Sequence, residues 1–113
     1  MDRLIGISEW TWEASALRDL LSKSDRREAL SSLAGDGWEP TGDGSAIRKE
    51  FAFRTFSEAF AWMTRVAMLA EKLGHHPDWS NTYNKVTVEL TTHSAGGLTE
   101  LDFRLARQIE RIG

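Results

Sequence analysis

The chain has 113 residues, of which 41% are apolar and 27% charged, a composition typical of one globular domain. Its formal net charge of -3 gives no basic footprint for phosphate binding, so we expect no direct nucleic-acid partner. The absence of cysteine excludes disulfides, thiolate nucleophiles and thiolate metal sites. No apolar run approaches the roughly 18 residues of a membrane span, and acidic residues interrupt the N-terminal segment where a targeting peptide would lie. We therefore expect a cytoplasmic protein with no membrane partner.

The first 20 residues form a segment apart from the main domain, which we place at residues 21–113. An apolar stripe at helical spacing predicts a helix over residues 8–21, and disorder is the alternative for this extension. The stripe consists of Trp10, Ala14, Leu17 and Leu21.

Two helices and a hairpin follow. Ser22 and Asp25 resemble a capping box, and Gly35 ends the predicted helix. The turn residues of 41–45 and the period-two apolar pattern that follows predict a hairpin with one buried face. Thr55 and Glu58 form a second capping box ahead of a long helix. Its predicted buried stripe is Phe56, Ala59, Phe60, Met63, Val66, Ala67, Ala70 and Leu73.

A second hairpin and a last helix complete the chain. Val86, Val88 and Leu90 alternate with polar residues, which predicts a strand with one buried face and with His93 outward if the strand runs that far. Residues 94–97 predict a flexible corner before the last helix. The order of elements is helix, two strands, helix, two strands, helix. This order predicts an α+β fold, with a four-stranded antiparallel sheet and helices on one face.

The stretch EKLGHHPDW, residues 71–79, contains most of the candidate functional side chains, with two adjacent histidines and two carboxylates. His75 and His76 follow the Gly74 that should end the long helix, and Pro77 prevents the helix from continuing. One interpretation is that imidazoles simply suit the negative end of a helix dipole. Successive extended residues point to opposite sides, so one of the two has a supporting role unless the backbone turns.

The second hairpin offers a functional interpretation. It should return His93 to the point where His75 and His76 enter, which would bring the chain's 3 histidines together. Asp102 should point inward from the last helix, either as an ordinary helix cap or as a partner of an imidazole. Glu71 lies near the histidines and could equally be a solvated charge.

The sequence argues against two other chemistries. Three imidazoles and a carboxylate can ligate zinc, but adjacent histidines lack the usual i, i+4 spacing on a helix and no H-E-x-x-H motif occurs. A serine hydrolase has no G-x-S-x-G elbow here. We therefore expect no metal at this site.

From Leu21 to Ile112 the sequence resembles the pterin-4a-carbinolamine dehydratases, known in animals also as a dimerisation cofactor of a homeodomain transcription factor. The resemblance rests on EKxxHHPxW, YNKVxxxLxTH and the GLxxxD helix start. Two positions depart from the family pattern. Gly74 stands where close relatives often have Asp, and Leu101 stands where the animal proteins have Arg.

The resemblance implies a lyase without metal or cofactor. It removes water from 4a-hydroxytetrahydrobiopterin, the 4a-carbinolamine, and yields quinonoid dihydrobiopterin in tetrahydrobiopterin recycling. By position it implies a catalytic set and a supporting set of residues. The catalytic set is His75, His76 and His93, and the supporting set is Glu71, Trp79, Tyr83 and Asp102.

The resemblance also implies partners. These are a pterin substrate, further copies of the chain in a homodimer or tetramer, and a transcription factor by analogy with the animal proteins. An interaction module that dimerises and docks a partner is thus the alternative to an enzyme. In a eukaryotic coactivator the nucleus would join the cytoplasm as a location.

Overall fold

The computed structural model describes residues 17–112. Most of the helix predicted over residues 8–21 lies outside this range. Leu21, at its end, is not helical, and its backbone N–H donates to the carbonyl of Leu98 at 3.0 Å. This bond ties the start of the domain to the segment that precedes the last helix.

Seven regular elements follow in the predicted order. They are α1 (Lys23–Ala34), β1 (Glu39–Pro40), β2 (Ile47–Ala52), α2 (Phe56–Leu73), β3 (Asp78–Thr82), β4 (Lys85–Leu90) and α3 (Glu100–Ile112). The strands form one antiparallel sheet in the order β1-β2-β4-β3. The predicted α+β class is therefore confirmed. Within the described residues, no helix combines the length and apolar character needed to cross a membrane.

Side-chain caps fix where the helices begin. The Ser22 hydroxyl accepts from the N–H of Asp25 at 3.1 Å, and the Thr55 hydroxyl accepts from the N–H of Glu58 at 3.1 Å. Each bond satisfies an N–H that the first turn of a helix cannot pair internally. The long helix α2 ends at Gly74, whose φ of 69° is the left-handed conformation that glycine adopts at least cost.

The core lies between the sheet and the helices. Val86, Val88 and Leu90 of β4 are fully buried, as their alternation predicts. Near the end of α3, the Glu110 carboxylate accepts from Trp38 Nε1 at 2.9 Å and from Lys49 Nζ at 2.8 Å. These contacts attach the end of α3 to the sheet.

The buried stripe of α2 differs from the predicted one. Trp62, absent from the prediction, is 2% exposed and packs its ring 4.5 Å from that of Phe51. Phe56 and Phe60, which were predicted to be buried, are 49% and 56% exposed, and Ala67 is also exposed. Apolar residues occur around most of this helix, so periodicity alone could not select the face that meets the sheet.

The segment after β4 also differs from the prediction. The strand ends at Leu90, and His93 begins a 3-10 turn, His93–Ala95, instead of continuing the outward alternation. Residues 94–97, predicted to be a flexible corner, form an ordered turn that is closed by a backbone hydrogen bond. In this bond the N–H of Thr92 donates to the carbonyl of Gly97 at 3.0 Å. Gly96, at φ 75°, allows the chain to reverse between these two residues.

Two helix-ending glycines give a matched prediction for stability. Gly74→Ala places a side chain at φ 69°, and we expect it to lower the free energy of unfolding by about 1–2 kcal/mol. Gly35 has φ -66°, with no atom within 4 Å of an added Cβ, so Gly35→Ala should raise that free energy by about 0.4–1 kcal/mol. Urea unfolding curves measure both. Shifts of the same sign would contradict the assigned backbone conformations.

Candidate active site

The histidines lie at one end of the sheet, where β3 begins and β4 ends. Asp78 at the start of β3 pairs with Glu89 near the end of β4. His75 and His76 occupy the turn between α2 and β3, and His93 follows β4. The antiparallel hairpin thus returns the chain to this end of the sheet, as the sequence predicts.

His75 and Asp102 form a buried pair. His75 is 7% exposed and Asp102 is fully buried, and Nε2 of His75 lies 2.6 Å from Oδ1 of Asp102. The local backbone explains the inward direction of His75: Gly74 reverses the chain, and the N–H of His75 then donates to the carbonyl of Ala70 at 3.0 Å. Asp102 reaches the same place from the first turn of α3.

The second oxygen of Asp102 is also fully engaged. Oδ2 accepts from the Thr92 hydroxyl at 2.8 Å and from the backbone N–H of Thr99 at 2.9 Å. A buried carboxylate is costly unless it is paired and hydrogen-bonded, and this one accepts from three groups. The predicted cap and the predicted imidazole partner are therefore the same side chain.

His76 lies on the surface beside an open cleft. Its Nε2 is 2.8 Å from Oε1 of Glu71, and both side chains are largely exposed. The cleft has a volume of about 440 Å³ and a mostly apolar lining. That volume falls within the usual range of roughly 300–1,000 Å³ for small-molecule sites. The lining residues are Thr64, Ala67, Met68, Ala70, Glu71, His76, Pro77 and Trp79.

Trp79 gives this cleft an aromatic wall. It pairs with Val88 across β3 and β4 and therefore lies on the helix-facing side of the sheet. A half-buried indole beside an imidazole suits a flat, polar-edged ring system, because the aromatic face can stack while the imidazole binds the ring edge.

His93 has a carboxylate partner of its own. Its Nε2 lies 3.0 Å from Oδ2 of Asp78, with both side chains more than half exposed. Asp78 lies between Pro77 and Trp79, two residues that line the cleft. Successive strand residues point to opposite faces, so Asp78 points away from the helix-facing side that carries Trp79, and the contact holds His93 beside the start of β3 but outside the cleft. His93 itself lines a second concavity of about 420 Å³ that also contains Glu89.

Each of the 3 histidines thus pairs with a different carboxylate through Nε2. Imidazole is the side chain best suited to proton transfer near neutral pH, and a carboxylate partner orients its ring. The arrangement can therefore donate and accept protons at several points around one end of the sheet. Among residues 17–112, no cluster of three or more His, Cys, Asp or Glu side chains could hold a metal ion.

The predicted supporting residues fall into two groups. Glu71, Trp79 and Asp102 lie beside histidines, whereas Tyr83 sits at the turn between β3 and β4, at the far end of the hairpin. At about 3.3 Å per residue, the length of β3 separates this turn from the histidines by roughly 15 Å. The membership of Tyr83 in the site remains a prediction.

Three residues of the site were missed from sequence. Asp78 stood inside the quoted motif as an unassigned carboxylate, Thr92 stood in the YNKVxxxLxTH motif without an assigned role, and Thr99 carried only the signal of a helix cap shared with Asp102. Their roles depend on the turn that follows β4. Leu101 is 2% exposed and adds no charge to the site.

Removal of each carboxylate in turn should separate the buried pair from the two exposed ones. Asp102→Ala leaves His75, the Thr92 hydroxyl and the Thr99 N–H without their acceptor, and should cost about 3–5 kcal/mol of stability. Glu71→Ala and Asp78→Ala break solvent-screened pairs and should each cost less than about 1 kcal/mol. Chemical denaturation provides the comparison. Equal losses of unfolding free energy in all three variants would show that the buried Asp102 pair stabilises the fold no more than the two exposed pairs do.

Comparison with known proteins places the chain in a family. The family model described as "Pterin 4 alpha carbinolamine dehydratase" matches residues 19–112. Two relatives whose names mark them as candidate pterin-4-alpha-carbinolamine dehydratases come from Jannaschia sp. (strain CCS1) and Mesorhizobium japonicum. The first is 48% identical, covering 85% of this chain and 98% of its own length; the second is 55% identical, covering 81% and 92%.

A solved structure agrees with the sequence comparison. It is described as a transcriptional coactivator/pterin dehydratase from Brucella melitensis, and it is 47% identical to this chain. The alignment covers 83% of this chain and 98% of that one, with a TM-score of 0.77. Together with the paired histidines at the end of the sheet, these similarities show that the chain belongs to the pterin-4a-carbinolamine dehydratase family.

Proposed function

We propose that this chain dehydrates a 4a-hydroxytetrahydropterin to a quinonoid dihydropterin and water, by general acid–base catalysis from histidine, in tetrahydrobiopterin recycling. The observation that supports the proposal is the set of three imidazole–carboxylate pairs at one end of the sheet, one of which, His76–Glu71, lines a cleft with Trp79, in a chain of this family. The proposed enzyme needs neither a metal nor a cofactor.

The reaction requires two proton transfers and no oxidant. The bond from the ring carbon to the hydroxyl group breaks, and the departing oxygen takes a proton to leave as water. A ring N–H gives up its proton, and its electron pair completes the new C=N bond. Positioned acids and bases typically contribute on the order of 100- to 10,000-fold to such a step.

We assign proton transfer to His75 and His93 and binding of the pterin edge to His76. In support of this division, His76 lies in the cleft with Trp79, where a flat ring can stack. His75 is held in one orientation by Asp102, as a proton-transferring group needs to be. His93 is oriented by Asp78 at the edge of the same segment.

The carboxylates have a second use in this proposal. Loss of hydroxide leaves iminium-like positive charge on the pterin ring. Glu71 and Asp78 lie beside the imidazoles of His76 and His93 and place negative charge around this end of the sheet. Negative charge beside the ring stabilises this developing positive charge, by an amount that solvent screening limits at these exposed positions.

An interaction role has one observation in its favour. Phe56 and Phe60 of α2 are large apolar residues that remain 49% and 56% exposed, with ring centroids 5.9 Å apart. Exposed apolar groups of this kind mark surfaces that meet another protein. We propose that further copies of this chain, as a dimer or tetramer, are the first partners to test. The polar outer face of the sheet and the second hairpin are further candidate surfaces. Docking of another protein is the alternative function.

A dehydration assay with a 4a-hydroxytetrahydropterin tests the enzyme directly. We expect the pure protein to accelerate water loss. His75→Ala and His93→Ala should each lower kcat by roughly 100-fold or more, and the double variant should approach the uncatalysed rate. His76→Ala should act mainly by raising KM, because it removes binding and not proton transfer.

Three outcomes would contradict the proposal. No acceleration by wild-type protein would leave only the interaction role. A larger loss of kcat in His76→Ala than in both other single variants would overturn the division of roles. Zinc near one equivalent in protein purified without added metal would replace this chemistry with metal-assisted catalysis.

A further inference from the structure

Two buried hydroxyl groups adjoin the proposed site, and the mechanism above does not use them. Thr92 and Thr99 are 3% and 0% exposed. Their hydroxyl oxygens lie 2.7 Å apart, and that of Thr92 is also 2.8 Å from Oδ2 of Asp102. A buried hydroxyl pair in contact with the partner of a proposed catalytic histidine can control how that histidine carries its proton.

The direction of each hydrogen bond follows from counting hydrogens. An ionised carboxylate only accepts, so the Thr92 hydroxyl must give its single hydrogen to Asp102. The Thr92 oxygen is then the acceptor in its contact with Thr99, and the Thr99 hydroxyl is the donor. The backbone N–H of Thr99 donates to the same Asp102 oxygen at 2.9 Å. Every hydrogen in this chain therefore points towards Asp102.

One oxygen of the carboxylate remains for His75. Oδ1 lies 2.6 Å from Nε2 of His75, and with Asp102 as acceptor this nitrogen must carry a hydrogen. The neutral imidazole then has its lone pair on Nδ1. We infer that Thr92 and Thr99 are positioning residues that hold Asp102 so that His75 keeps a hydrogen on Nε2 and exchanges the substrate's proton through Nδ1. The catalytic half of this inference rests on the proposed function.

Thr92 also links this network to His93. Its N–H donates to the carbonyl of Gly97 at 3.0 Å, and its carbonyl accepts from the N–H of Ala95 at 3.0 Å. These two bonds close the turn that begins at His93. The backbone of Thr92 therefore fixes the turn that carries His93, while its side chain fixes the partner of His75.

The test removes the hydroxyl of Thr92 with little change in size. In Thr92→Val we expect the uniform Nε2–H form of neutral His75 to become a mixture of both tautomers, as read from the imidazole ¹⁵N chemical shifts without substrate. We expect kcat to fall by roughly 10- to 100-fold, since part of the general acid–base contribution is lost, with KM changed less than about 3-fold. Thr92→Ser retains the hydroxyl and should restore both readouts.

Two further variants provide a second test and a matched control. Thr99→Val removes only the outer hydroxyl and should give a smaller effect of the same kind, which decides the matter if Thr92→Val does not fold. Thr87→Val makes the same change in β4, on the half-exposed face away from the core, and should alter neither readout.

The His75 tautomer and kcat together distinguish failure of the positioning inference from failure of the proposed function. Folded Thr92→Val, or folded Thr99→Val where Thr92→Val does not fold, with an unchanged His75 tautomer and unchanged kcat would overturn the positioning inference. A wild-type protein that holds His75 in the Nε2–H form through Thr92, yet does not dehydrate the pterin, would overturn the proposed function while the positioning of His75 stands.

Discussion

The buried carboxylate of Asp102 is the constraint on which this end of the molecule depends. It joins the turn after α2, the turn after β4 and the first turn of α3, by accepting from His75, Thr92 and Thr99. A charge with no exposure to solvent is tolerated only when donors surround it, so these three segments must keep their relative positions. The fold therefore supplies one histidine with a fixed partner before any substrate arrives.

The other two pairs are built differently. Glu71 and Asp78 hold His76 and His93 on the surface, where water competes for the same hydrogen bonds and the net stabilisation is small. These rings can reorient around a ligand at little cost, whereas His75 cannot. A rigid imidazole next to two adjustable ones suits a reaction in which one proton transfer has a fixed geometry and the substrate must also enter and leave.

Much of the fold was predictable because its signals are local. The Ser22 and Thr55 caps and the alternation through β4 all appear in the structure. The exposed face of α2 was not predictable, because Trp62 and Phe60 compete for the core and only the position of the sheet decides between them. The pairing of the histidines was only partly predictable. Asp102 was expected to point inward, but the contacts of Asp78 and Thr92 depend on the exact geometry of the turn after β4, which the sequence indicated only as a flexible corner.

The central claim is that a pterin binds at the end of the sheet where β3 begins. NMR titration with a non-reacting dihydropterin tests it most directly, by following the side-chain signals of His75, His76, His93 and the Trp79 indole. We expect saturable shifts of these signals at one common affinity. Shifts confined to Phe56 and Phe60, with the histidine signals unmoved, would contradict it.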